Sequence, residues 1–119
     1  MKPLVYISSP YTKGKVDLNL QAHCEVWDEL FNDARVLPYA PLWSHQQQLH
    51  QPMTHNEWMT FDVQLIKSIP FAACLRVNAE VGKYKQTYSS GADTEVALFR
   101  ELGRPVAFSI KELYKILFD

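Results

Sequence analysis

Cysteine is scarce: the 119-residue chain has it only at positions 24 and 74, each inside an apolar segment and without CxxC spacing. That excludes a disulfide scaffold and a cysteine-built zinc site, and predicts two small buried hydrophobes in a reducing compartment. No hydrophobic run approaches the roughly 18 residues of a membrane span, and no basic patch followed by an apolar stretch opens the chain. A cytoplasmic location and no membrane partner are expected. An excess of one charge is missing too. Twelve basic against thirteen acidic residues leave a net charge of −1, which excludes a general attraction to nucleic-acid polymers while leaving room for a single nucleotide at a local site. Glycine numbers only four, and GxGxxG, GxxxxGK[ST] and GxSxG are all absent, so dinucleotide, P-loop and α/β-hydrolase readings lose their main support. No cofactor is expected. His45, His50 and His55 share one region but match neither HExxH nor an alternating strand, and no metal is expected.

What is present is an ordinary globular composition, 47% apolar and 21% charged, at a length that suits a single domain over residues 1–119. PLVYIS (3–8) reads as a strand ended by a turn. From Val16 to Ala34 the spacing turns helical, with Leu20, Cys24, Trp27, Phe31 and Ala34 on one stripe. RVLPYA (35–40) is a second short strand, near an edge or its end because of Pro38. PLWSHQQQLHQPMTHNEW (41–58) follows neither period and predicts a binding loop. A second helix is predicted over Asn56 to Ser68 with Trp58, Phe61, Leu65 and Ile69 inward. FAACLRV (71–77) is the clearest apolar strand, then comes a long polar loop, a helix from Thr94 to Leu102 with Gly103 as its C-cap, the strand RPVAFSI and a last helix, KELYKILFD.

Strands and helices therefore alternate, and the strands are continuous rather than alternating in hydrophobicity. This argues for an α/β fold, a small doubly wound, flavodoxin- or Rossmann-like parallel sheet of about four to five strands with helices on both faces. The loops after Ile7, Ala40 and Val77 then share the edge where open α/β sheets bind ligands.

In SSGADTEVALFRELGRPV, Gly91 suits a tight turn, Ser90 or Asp93 a helix cap, and Glu95 the first helical turn. There, amides and the helix dipole would favour its ionised form. Glu95 is a plausible nucleophile or base, or merely a favourable first-turn acid. Asp62 reads by default as a solvated acid and Tyr6 as a half-buried strand tyrosine. Ser8, Ser9, Ser89 and Ser90 suit hydroxyl or phosphate contacts, though serines in turns are ordinary. Tyr11 adds an aromatic after strand one. Trp43 suits stacking on a base or packing in the core, and His23 suits packing or the surface.

VYISSPYTKG, FDVQLIKSIPFAACLRV and SSGADTEVALFRELGRPV together resemble the nucleoside 2-deoxyribosyltransferase superfamily, which includes 2′-deoxynucleoside 5′-phosphate N-hydrolases. The resemblance implies that Glu95 is the catalytic glutamate, Tyr6 the tyrosine that orients it and Asp62 the group that holds or protonates the departing base. It assigns Ser89 to phosphate and Ser8 and Ser9 to sugar or phosphate; Tyr11, Trp43, Ser90 and Gly91 are the further candidate substrate contacts. It implies cleavage or transfer at the N-glycosidic bond of a nucleoside or nucleoside 5′-monophosphate, with a homodimer or higher homo-oligomer as the assembly. The alternatives are a non-catalytic nucleotide-binding module on the same fold and an interaction domain that uses HQQQLHQPMTH as its surface.

Overall fold

The computed structural model describes residues 2–9, 16–41, 44–77 and 90–119. Its elements are β1 (Leu4–Ser8), α1 (Val16–Asn32), β2 (Leu37–Tyr39), α2 (Ser44–His50), α3 (His55–Ser68), β3 (Ala73–Arg76), α4 (Ser90–Glu101), β4 (Val106–Ala107) and α5 (Ile110–Phe118). The strands form one four-stranded sheet in the order β2-β1-β3-β4, parallel throughout. This is the small doubly wound fold expected from the alternation of elements. The chain order reverses direction between β1 and β3, so the carboxyl ends of these two central strands flank the crevice such folds offer to ligands.

Side chains alternate across a strand, and the sheet sorts its residues accordingly. Val5, Ile7, Ala73, Leu75, Val77 and Ala107 join Leu30 and Val36 with Leu113 of α5 in one core layer. Tyr6 and Cys74 point the other way, into a layer with Ile66 of α3, Phe71, and Val96, Leu98 and Phe99 of α4. Both layers are needed because a central parallel strand has no wet face.

Local chemistry sets the element ends. Thr54 caps α3 in a reciprocal capping box with Glu57, so two otherwise orphaned amides of the first turn are satisfied. Gly103, at φ 73°, ends α4 as predicted: its N–H bonds Arg100 O at 3.0 Å and the next N–H, of Arg104, bonds Phe99 O at 2.9 Å, the paired bonds of a Schellman stop. Arg104 then donates from Nη1 to Ile66 O at 3.1 Å and Ile69 O at 3.0 Å, tying the end of α4 to the last turn of α3.

Four sequence expectations are corrected. Residues 44–50 form a helix rather than loop, although SHQQQLH carries almost no apolar period. The polar segment before Glu95 ends earlier than expected, since α4 begins at Ser90 rather than Thr94. Helix α1 turns His23, 1% exposed, and Leu30 inward, while Phe31 is 61% exposed and Cys24 is exposed rather than buried. Helix α3 shows the same offset of about one residue: Ile66 is buried, Asp62 and Val63 are half-buried, and Phe61 is 51% exposed.

Candidate active site

The carboxyl-terminal half of β1 builds the site. Tyr6 is fully buried and its ring is held from three sides, by Phe71 edge-on at 5.2 Å, Phe99 at 5.5 Å and Tyr39 stacked at 6.0 Å between centroids. Its hydroxyl escapes this aromatic box by donating to Oε2 of Glu95. Ser8, two residues on and therefore on the same sheet face, donates to the other oxygen, Oε1, at 2.8 Å. Its Oγ also lies 3.3 Å from the carbonyl of Ala92, but one hydroxyl proton serves one bond and the shorter one to the carboxylate takes it. Glu95 itself comes from α4 and is only 6% exposed.

Asp62 of α3 reaches the same chamber, where its carboxylate accepts from the protonated Glu95 carboxyl, a bond that by itself raises Glu95 and lowers Asp62. Burial, helped by Asp62's charge, pushes Glu95 up to about 8, against the downward pull of the Tyr6 and Ser8 hydroxyls. Asp62 is raised to about 6, again by burial. Two acids this close cannot both ionise cheaply, so the pair keeps one proton between them near neutral pH. Tyr6 is raised well above the usual phenol range by burial and then by Glu95, so it remains a donor. The expectation that helix amides would favour the charged glutamate is overturned: with α4 starting at Ser90, Glu95 lies in the second turn, beyond most of the dipole's reach. Asp93 takes the first-turn place instead.

The three residues assigned to catalysis thus come together, with Ser8 as a fourth. Asp62 is not the solvated acid its sequence context suggested. Gly91 lies in the first turn of α4 beside Met59 and His55; its φ is not positive, so the turn-forming role expected of it is not used. Ser9, half-buried, points to the opposite face and pairs with His23 of α1, Oγ to Nδ1 2.7 Å. Tyr11, Trp43, Ser89, the side chains of His45 and Ser90, and the greater part of the loop between β3 and α4 lie outside the described residues.

Of the two alternatives the sequence offers for His23, packing or surface, the structure takes packing, and adds the Ser9 partner that spacing does not disclose. Arg76 lies inside an apolar strand and carries no site signal in the hydrophobic pattern, yet its side chain is fully buried, 3.5 Å from Asp93 and hydrogen-bonded to Val77 O. In register it sits beside Ser8, on the Glu95 face, and Glu95's charge acts on it. Its signal was a charged residue at the carboxyl end of a central parallel strand, where burial has little packing motive and ligands approach.

Comparison with family models, curated proteins and solved structures returns no match for this chain. Among the described residues no helix is long and apolar enough to cross a membrane.

Proposed function

We propose that the chain cleaves or transfers at the N-glycosidic bond of a nucleoside or nucleoside 5′-monophosphate, with Glu95 as nucleophile. The observation that supports this reading is the convergence of Tyr6, Ser8 and Asp62 on one buried carboxyl group. A core built for stability alone gains nothing from a buried acid with a half-buried one beside it. Each resists ionisation, and well-packed apolar residues would cost less.

The chemistry follows from the shared proton, which rests on Glu95 in the free site and passes to Asp62 as the substrate engages, leaving Glu95 ionised. Glu95, oriented by the Tyr6 and Ser8 hydroxyls, attacks the anomeric carbon as the C–N bond breaks. The bonding electrons leave with the base, and Asp62 delivers its proton to that base. The product is a glycosyl ester on Glu95. Water resolves it, Asp62 now accepting the water's proton, or an acceptor base takes the sugar instead. The Tyr6 hydroxyl, freed of half its charge partner when the ester forms, keeps the leaving carboxylate in line for the second step.

The test is chromatographic detection of free base from a panel of ribo- and deoxyribonucleosides and their 5′-monophosphates, with and without an acceptor base, beside Glu95→Ala. Base release that needs Glu95 is expected; exchange confined to reactions with an acceptor would define a transferase. If folded protein releases nothing but binds a nucleotide equally well as Glu95→Gln, the chain is a binding module and the catalytic reading is wrong.

A further inference from the structure

Ser8 ends β1 and Ser9 follows it, and the two face opposite sides of the sheet. The first serves Glu95. The second meets an imidazole with no place in the chemistry above. His23 is 1% exposed, and burial lowers its pKa to about 4, so the ring is neutral and carries one N–H and one bare nitrogen. Nδ1 is 2.7 Å from Ser9 Oγ. Nε2 is buried and has no hydrogen-bond partner among the described residues.

Two arrangements share these coordinates. With the proton on Nε2, Ser9 donates inward to Nδ1, and a buried N–H is left with no acceptor among the described residues. With the proton on Nδ1, the ring donates to Ser9 and only a lone pair is left at Nε2. The unused donor is then the Ser9 O–H, on a half-buried residue at the ligand edge. The second arrangement leaves no donor stranded in the interior, where an unmade bond is costly and orphaned N–H groups are rare. The remaining proton sits where a ligand oxygen can take it.

We infer that His23 is a positioning residue that holds the Ser9 hydroxyl as a hydrogen-bond donor toward the ligand, so that the end of β1 selects an acceptor oxygen, a phosphate oxygen in particular. The choice of phosphate rests on the nucleotide reading above; the donor role does not. The pairing gives the two serines opposite duties. Ser8 spends its proton on the protein's own carboxylate, and Ser9 keeps its proton for the substrate. A preference for nucleoside 5′-monophosphates over nucleosides follows.

The donor role is read from the imidazole ¹⁵N–¹H correlation spectrum of histidine-labelled protein at neutral pH, the His23 signals being identified by their loss in His23→Asn. A proton on Nδ1 is expected; a proton on Nε2 would make Ser9 an acceptor and overturn the inference. Calorimetric titration with 2′-deoxynucleoside 5′-monophosphates and the matching nucleosides tests the selectivity. Ser9→Ala and His23→Leu are expected to weaken monophosphate binding about tenfold or more, as loss of a bond to a charged acceptor does, and to change nucleoside binding little. His23→Asn, whose amide N–H can take the place of Nδ1–H, should keep the preference. Equal losses in His23→Asn and His23→Leu, or equal losses for both ligand types in Ser9→Ala, would reject the role. If no nucleotide binds at all, the phosphate assignment falls with the nucleotide reading, and the spectrum still decides whether Ser9 is a donor.

Discussion

Glu95 and Asp62 titrate as one unit, and their single shared proton links the proposed reaction to the stability of the fold. Below about pH 6 the pair holds two protons and above about pH 8 it holds none; in the proposed reaction the first state lacks its nucleophile and the second its acid. A bell-shaped kcat/KM profile with limbs near those values is expected, and Asp62→Asn should remove the alkaline limb while lowering kcat by about 10²-fold or more for substrates with poor leaving bases. A profile flat from pH 5 to 9 would remove the pair from the reaction. The same shifts carry a stability cost of known sign. Both folded pKa values lie above the ordinary 4.5 and 3.8, so the native chain holds protons that the unfolded chain has released. This stabilisation is complete below about pH 4 and is lost as pH rises through 6 and then 8, at no more than about 1.4 kcal/mol per pH unit for each proton. Urea midpoints measured across that window should fall with pH in the wild type and fall less in Glu95→Gln.

Arg104 gives the element scale its test. Its two bonds to carbonyls at the end of α3 fix the helix that carries Asp62 against the helix that carries Glu95. Arg104→Ala is expected to cost about 1–3 kcal/mol of urea stability and to lower kcat more than it raises KM, since the acid loses its alignment while the binding edge is untouched. A loss of stability with unchanged kcat would limit Arg104 to a structural role. The helices also mark what sequence pattern could and could not disclose. Spacing discloses α1, α3 and α4, but the apolar stripe of α1 and α3 in the sequence lies about one residue out of step with the face the fold buries. In α3 the hydrophobic pattern points Phe61 inward, and the fold places Asp62 there instead. An exposed phenylalanine beside a half-buried aspartate is a local conflict between packing and chemistry, and such conflicts gather where a protein gives up stability for a site. In α1, His23 replaces an apolar residue because it has a partner fourteen positions away, which periodicity does not see.

At the level of the whole molecule, the alternation of strands and helices sufficed for the fold class and for the edge that carries the site, since continuous apolar strands have few other stable solutions. The convergence of Tyr6, Asp62 and Glu95 came from a resemblance spread along the chain, because each residue alone has an ordinary structural explanation. Arg76 and the inward turn of His23 depended on tertiary neighbours and left no periodic trace. The rotation of α1 that buries His23 has a practical corollary. It brings the neighbouring thiol of Cys24 to the surface, while Cys74 is sealed in the core with its thiol pushed up by burial and then by Glu95. The folded protein should therefore take up one equivalent of a maleimide dye, at Cys24, and a second only on denaturation; two equivalents under native conditions would contradict the burial of Cys74. Nature has thus left a single chemical handle on the helix behind Ser9, one residue from the imidazole, where a reporter fluorophore would sense ligand arrival without any engineered cysteine.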